Sequence, residues 1–133
     1  MYAGSPASGG HRVTSRSPWT AQLMRVEVCR PTSRTALVRV SGEIDLSTAA
    51  RLDAELNRQV TGPVTRLVVD LSQVTFLAVS GLNCLIHAQF LAREYGLSFA
   101  VDPGESRAVQ RVFELLELPF TPAPGAARLA TEN

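Results

Sequence analysis

The feature that most constrains the fold is a short apolar run that leads, through a loop, into a helical pattern. Residues 67–71 read Leu-Val-Val-Asp-Leu, and such a run, rich in β-branched residues, predicts a strand over 66–71 that is buried on both faces. After a loop over 72–79 and the pair Ser80-Gly81, apolar residues recur at helical spacing to Tyr95. In α/β domains, functional sites are commonly found where the end of a strand meets the N-terminus of a helix. We therefore expect any functional site at this junction.

The segments around this junction predict an α/β domain with a mixed sheet. Alternating residues predict strands over 24–30 and 35–41, joined by a four-residue turn into an antiparallel hairpin. The later strands are separated by helical patterns, so the centre of the sheet is expected to be parallel. The expected order is β-β-α-β-α-β-α, with four to five strands covered by three to four helices. Between the second and third strands, a helix is expected to be capped by Asp45, Ser47 or Thr48 and to end at Gly62-Pro63. Gly96 is the expected C-terminal cap of the helix that begins at Ser80. A strand over 97–101, a helix from Glu105 or Ser106 and a short edge strand over 118–120 are expected after it.

The two ends of the chain have the composition of tails. Residues 1–22 are rich in Gly, Pro, Ser and Thr, and such a segment cannot bury enough apolar surface to offset the entropy lost on ordering. We expect a flexible N-terminal tail over 1–22, one folded domain over 23–122, and a C-terminal tail over 123–133. One helical turn is expected within that second tail, over 126–130.

Composition and charge exclude several classes of function. The formal net charge is +1, so there is no electrostatic argument for direct binding of nucleic acid or of a membrane surface. No stretch approaches the roughly 20 apolar residues of a membrane-spanning helix, and no apolar signal segment follows the N-terminal arginines. The cytoplasm is the expected location. Cys29 and Cys84 form no CxxC pair, so we expect two buried free thiols and no metal site.

The residue patterns of common enzymes are absent from the sequence. His87 follows Ser80 by seven residues, about two helical turns or ~10 Å along the axis, and is badly placed to take a proton from that hydroxyl. No phosphate-binding glycine motif is present. Glu43, Asp45 and Asp70 lie near predicted loop or strand ends, but nothing in their spacing joins them into a site. We expect no enzyme activity and no cofactor.

The helix that starts at Ser80 has two apolar faces. A broad face is expected to pack on the sheet, and its members are Cys84, Leu85, Ala88, Leu91, Ala92 and Tyr95. Leu82, Ile86 and Phe90 form a second ridge, which either packs on a neighbouring helix or docks a partner. Leu82 and Ile86 lie nearest the loop and are the preferred docking candidates. Ser80 itself is either a helix cap or a phosphorylation site, and physical reasoning alone favours the cap.

Several motifs, in their order along the chain, resemble the STAS domain and, more narrowly, bacterial anti-sigma factor antagonists. They are residues 42–46 (GEIDL), 67–77 (LVVDLSQVTFL), 80–82 (SGL) and 108–115 (AVQRVFEL). The resemblance runs from about residue 24 to residue 120. It implies a small α/β domain with a non-enzymatic role, in which the antagonist binds an anti-sigma factor kinase and so frees a sigma factor.

The resemblance also implies site residues, and this chain departs from the usual pattern at two of them. Typical members read Asp-Ser-Ser-Gly before this helix, and the kinase phosphorylates the first serine to break the complex. Here Ala78 replaces the aspartate, Val79 replaces the phosphorylated serine, and Ser80 matches the second serine. The residues expected to bind the partner are Asp45, Ala78, Val79, Ser80, Gly81, Leu82 and Ile86.

Three interpretations of that departure stay open. The protein is an antagonist that phosphorylation cannot switch off, or it is phosphorylated on Ser80 or on another hydroxyl such as Thr75. In the third, it is a STAS module of another signalling or transport complex, for instance a self-associating scaffold that forms a homodimer.

Overall fold

A computed structural model describes residues 23–131 of the chain. Four strands and four helices follow one another in it. They are β1 Met24–Thr32, β2 Thr35–Ile44, α1 Leu46–Val60, β3 Arg66–Leu77, α2 Val79–Tyr95, β4 Ser98–Asp102, α3 Arg107–Leu115 and α4 Ala126–Thr131. This is the predicted α/β order, and the helical turn expected over 126–130 is present as α4.

The four strands form one mixed sheet in chain order, β1-β2-β3-β4. β1 is antiparallel to β2, whereas β2 and β3, and β3 and β4, are parallel. The predicted hairpin and the predicted parallel centre are both confirmed. The hairpin turn is shorter than expected, because pairing continues as far as Thr32 and Thr35.

Three helices cover one face of the sheet, and the main core lies between them and the strands. From the sheet, Val38, Val40, Leu67 and Val69 point into this core. The helices contribute Leu52 and Leu56 from α1, Leu85 and Ala88 from α2, and Val109 from α3. Because successive residues of a strand point to opposite faces, every second residue of β2 and β3 belongs to this core, and Leu37 and Val68 between them are buried on the other face.

The short helix α4 packs on the opposite face of the sheet. Its residues Ala126, Ala127 and Ala130 lie against Leu37 and Val68. The buried carboxylate of Asp102, at the end of β4, accepts hydrogen bonds from the backbone N–H groups of Gly104 (2.8 Å) and Ala127 (2.9 Å). The segment expected to be a C-terminal tail therefore carries a helix that the sheet holds in place.

The predicted edge strand over 118–120 is wrong. Phe120 instead places its ring edge-on to those of Phe99 and Phe113, with centroid distances of 6.2 and 5.8 Å, a geometry that aromatic pairs prefer. The backbone bond to the edge of β4 comes later, from the N–H of Ala123 to the carbonyl of Val101. Aromatic packing over the core therefore decides the path of this segment.

Strand β3 is longer than the predicted strand over 66–71. Its pairing with β2 continues through two register shifts, one between Arg39 and Ser41 and one between Gly42 and Glu43. At each shift β3 holds one residue more than β2, as in a β-bulge, which bends the strand without ending it. The extension carries the strand to Leu77, so the predicted loop over 72–79 is reduced to the single residue Ala78 between β3 and α2.

Candidate partner-binding surface

The ends of β2 and β3 lie side by side and bring two loop regions together. Ile44 is paired with Leu77, and the N–H of Ala78 donates to the carbonyl of Ile44 at 2.8 Å. The residues that follow these strand ends, Asp45 on one side and Val79 on the other, therefore lie at the same edge of the sheet. The geometry gathers the predicted residues from both segments.

Three large apolar side chains are exposed at this edge. Leu46, the first residue of α1, is 83% exposed; Val79, the first residue of α2, is 65% exposed; and Phe76, which pairs with Glu43, is 49% exposed. We call Leu46, Phe76 and Val79 the strand-end patch. Isolated exposed apolar residues are normal on a protein surface, whereas several of them at one edge make that edge a candidate contact site.

Sequence reasoning found Val79 but missed Leu46 and Phe76. Leu46 directly follows the helix cap and lies outside the apolar stripe of α1, which is formed by Ala49, Leu52, Leu56 and Val60. This position was visible in the sequence and indicates that Leu46 is exposed. The exposure of Phe76 depends on the second β3 bulge, which places it outward between the buried residues Val74 and Leu77. No pattern in the sequence indicates that bulge.

The expectation that Leu82 belongs to an exposed ridge is wrong. Leu82 is 4% exposed, Ile86 is partly buried against the core, and Phe90 is 61% exposed. Each four-residue step on a helix turns its side chain by about 40°, so the ridge rotates from the core into solvent along α2. Because α2 packs against α1 as well as the sheet, its buried face extends to Leu82.

The broad face of α2 is mostly buried as predicted, with one exception. Cys84, Leu85, Ala88 and Ala92 are buried and Leu91 is partly buried, whereas Tyr95 is exposed. Tyr95 is the last residue of the helix, directly before the left-handed cap at Gly96. The tyrosine therefore ends the helix without packing on the sheet.

Ser80 does not cap α2. The cap position is Ala78, which makes no side-chain hydrogen bond, and Ser80 is the second residue of the helix. Within residues 23–131 its buried Oγ has no hydrogen-bond partner. A buried hydroxyl in the first turn is not accessible to a kinase unless the helix start opens.

Gly81 lets the first turn of α2 lie against the strand ends. A Cβ atom at this position would collide with the Ile44 side chain and would lie 2.8 Å from Cδ1 of Leu77. Any larger residue would push the start of α2, and Val79 with it, away from the sheet. Gly81 thus positions the strand-end patch and is itself buried.

Asp45 forms a complete capping box at the start of α1. Its Oδ1 accepts from the N–H groups of Ser47 (3.0 Å) and Thr48 (3.2 Å), and the Thr48 hydroxyl accepts from the N–H of Asp45 (2.9 Å). The Ser47 hydroxyl also donates to Oδ1. These hydrogen bonds hold the pKa of Asp45 below its usual value, and the bond from the Ser47 hydroxyl makes the largest contribution. No hydrogen bond to Oδ2 comes from the described residues, so an ionised oxygen remains available beside Leu46.

Polar contacts between α1 and α2 hold the helix layer together behind this edge. The Cys84 thiol lies 3.3 Å from the carbonyl oxygens of Ala49 and Ser80. Burial, together with the nearby Asp53 carboxylate, raises the pKa of Cys84 to about 11. His87 Nδ1 lies 3.1 Å from Asp53 Oδ1. The thiol stays protonated at neutral pH and has the character of a packing residue, since the thiolate is the reactive form.

The second cysteine, Cys29, lies in β1. Cys29 and Cys84 are both free thiols, as expected, although Cys29 is only partly buried. Over residues 23–131, no group of three His, Cys, Asp or Glu side chains is arranged to hold a metal ion. Over the same range, no helix has the length and apolar character that crossing a membrane requires.

Comparison with known proteins decides the family. A family model described as "Mlab, STAS domain" matches residues 29–119. The chain belongs to the STAS domain family. The matched range begins in β1 and ends just before Phe120, so it holds the whole helix layer and both sides of the strand-end edge. The resemblance found in the sequence motifs is confirmed.

Relatives of this STAS domain include named anti-sigma factor antagonists. Over 50 residues it is 46% identical to the anti-sigma-F factor antagonist RsfB of Mycobacterium tuberculosis, a match that covers 38% of this chain and 41% of the relative. The alignment therefore spans about two-fifths of that protein's length.

Solved structures of the same class share the fold of this STAS domain. An anti-sigma factor antagonist from Mycobacterium paratuberculosis is 28% identical, with a TM-score of 0.64, over 86% of this chain and 98% of that one. The unphosphorylated form of the anti-sigma factor antagonist SpoIIAA is 18% identical, with a TM-score of 0.60, over 68% and 79% of the two chains. At that lower identity, the likeness to SpoIIAA concerns the fold alone.

Proposed function

We propose that this STAS domain is an anti-sigma factor antagonist, which binds an anti-sigma factor of the serine-kinase type and thereby releases a sigma factor. The observation that carries the proposal is the strand-end patch, in which Leu46, Phe76 and Val79 are exposed at one edge of the sheet. The named antagonists among its relatives support the same role. The role requires binding alone and no chemical step.

The composition of the surface suits a docking site. Burying one exposed side chain of this size contributes about 1.5–3 kcal/mol, so a few such residues can supply most of the energy of an interface. The free oxygen of Asp45 lies beside the patch and suits a cationic group of the partner. Of the other predicted binding residues, Ala78 starts α2 through its bond to Ile44, and Gly81, Leu82 and Ile86 act by holding the helix start in place. The Ser80 hydroxyl is buried and offers no contact to a partner.

Co-purification tests the proposed role directly. The tagged full-length chain is co-expressed in turn with each anti-sigma factor kinase of the source organism, and each pair is purified through the tag. We expect at least one kinase to be retained at a stoichiometric amount and to release its sigma factor. Retention of none of them would contradict the proposal.

We further propose that phosphorylation at the usual position does not control this complex. Val79 has no hydroxyl, and the Ser80 hydroxyl is buried within the first turn of α2. Thr75 is exposed, but its hydroxyl donates to the carbonyl of Gly42 at 3.3 Å. We therefore expect the chain to stay unmodified when it is incubated with its kinase and ATP.

Intact-mass spectrometry checks that expectation, with Val79→Ser as the matched control. The serine in this variant would occupy an exposed position, so it should gain one phosphate under conditions that leave the natural chain unchanged. Stoichiometric phosphate on Ser80 or Thr75 of the natural chain would show that the switch has moved to another residue and would contradict the proposal.

Self-association through the same patch is the second candidate function, because an exposed apolar surface can pair with its own copy about a two-fold axis. Sedimentation velocity over a hundredfold range of concentration separates the two. A monomer at all concentrations excludes the scaffold, whereas a dimer that Leu46→Asp disrupts would favour it over the antagonist.

A further inference from the structure

A polar groove lies on the face of the sheet opposite to α1, α2 and α3. It encloses about 300 Å³ and is lined by residues of β1, β2 and β3. On this face α4 covers only the area around Leu37 and Val68, and the groove lies beyond it. It shares no residue with the strand-end patch, so its role is independent of the proposed function.

The first bulge of β3 gives the groove its polar wall. Asp70 is paired with Arg39, and the next pair joins Gln73 to Ser41, so β3 has one extra residue here. The core-facing residues on either side, Leu71 and Val74, are three positions apart instead of two. Two consecutive polar residues, Ser72 and Gln73, therefore both line the groove. Bulges that re-aim side chains in this way are common beside functional sites.

Two of the four charged groups in the groove are already compensated. The Arg39 guanidinium lies 3.6 Å from the Asp70 carboxylate, whose other oxygen accepts from the N–H of Ser72 at 2.9 Å. Arg25 and Glu27 also line the groove, and neither has an ion pair or side-chain hydrogen bond with any residue in 23–131. Among the described residues, one cation and one anion of the groove thus have no charged partner and lie beside neutral donors and acceptors.

We propose that this groove binds a small zwitterion with its carboxylate and ammonium groups on the same carbon atom, the chemistry of a free α-amino acid. Arg25 and Glu27 are two residues apart on β1 and face the same side, so their Cα atoms are about 7 Å apart. The guanidinium of Arg25 takes the carboxylate with two parallel bonds, and Glu27 takes the ammonium. Gln73 and the hydroxyls of Ser41 and Ser72 form hydrogen bonds with the carboxylate and ammonium atoms that Arg25 and Glu27 leave unpaired. The volume is at the lower end of that of ligand pockets, which suits a molecule of this size.

An NMR titration of the full chain with L-alanine tests the proposal, with propionate and ethylammonium as the two halves of the same molecule at equal ionic strength. We expect saturable shifts of the backbone amides of Arg25, Glu27 and Gln73 with alanine, and at least tenfold weaker binding of either half. Arg25→Gln and Glu27→Gln should each weaken alanine binding at least tenfold. Arg111→Gln, on exposed α3, should leave it unchanged.

Three results would overturn the proposal. One is the absence of saturable shifts with alanine. Another is binding of propionate or ethylammonium as tight as that of alanine, which would make the groove a site for a single charge. The third is alanine binding that is unchanged in Arg25→Gln and Glu27→Gln, provided that their spectra retain the dispersion of the folded chain.

Discussion

At the scale of single residues, Gly81 determines how closely α2 approaches the strand ends. Gly81→Ala should lower the free energy of unfolding by about 1–3 kcal/mol, because the added Cβ forces the fully buried Ile44 to move. Urea denaturation measures the change. Gly62→Ala is the control, since a Cβ there has no neighbour closer than 3.4 Å. Equal effects of the two substitutions would contradict the tight contact.

The capping carboxylate of Asp45 predicts a pH dependence of stability with a definite sign. Hydrogen bonds, chiefly from the Ser47 hydroxyl, lower the pKa of the folded state below the ordinary 3.8. The stabilisation is therefore fully present above pH 3.8 and is lost as the pH falls through the lower, folded pKa. Asp45→Asn keeps an N-cap acceptor but cannot ionise, so the natural chain should exceed it in stability at pH 7.

Urea midpoints of the natural chain and Asp45→Asn, measured from pH 7 down to pH 2, check that prediction. The difference between the two midpoints should be constant at neutral pH and should shrink below pH 3.8. A difference that persists unchanged into strong acid would assign the stabilisation to the shape of the side chain instead of its charge. Glu94→Gln, an exposed change on α2, serves as a control for loss of a negative charge.

At the scale of elements, α4 depends on one buried carboxylate. Asp102→Ala would leave the N–H groups of Gly104 and Ala127 without their acceptor, and losing such bonds in a buried setting costs about 1–3 kcal/mol. Hydrogen exchange followed by mass spectrometry should show faster exchange over 126–131, with little change in the main core. Asp53→Ala, at an exposed ion pair, should leave that segment protected. Unchanged exchange in Asp102→Ala would show that alanine packing alone holds α4.

The elements also show which features a sequence can predict. Strands, helices and their order follow from local periodicity. Asp45, one of the three predicted candidates, caps α1, and Gly96 ends α2 as predicted. The β3 bulges do not follow, because the spacing of three between Leu71, Val74 and Leu77 matches no strand pattern. The burial of Leu82 depends on the packing of α2 against α1 and the sheet, which come from other parts of the sequence. Local patterns carry no information on such contacts.

At the scale of the whole molecule, the covered faces of the sheet and its two candidate sites lie in separate places. The helix layer fills one face of the sheet, α4 and the polar groove share the other, and the strand-end patch occupies the edge where β2 and β3 end. The sequence identified this edge through Asp45 and residues 78–81, but it placed the apolar contact on Leu82 and Ile86. The other two members of the strand-end patch, Leu46 and Phe76, lie near Val79 only because β2 and β3 end side by side.

The measurement that tests the central claim most directly is the affinity of the chain and three variants for its anti-sigma factor kinase, by isothermal titration calorimetry. Leu46→Asp and Val79→Asp should each weaken binding at least tenfold, which is about 1.4 kcal/mol. Leu115→Asp, at an equally exposed leucine on α3, should bind like the natural chain. Undiminished binding by both patch variants would contradict the assignment of the strand-end patch as the docking surface.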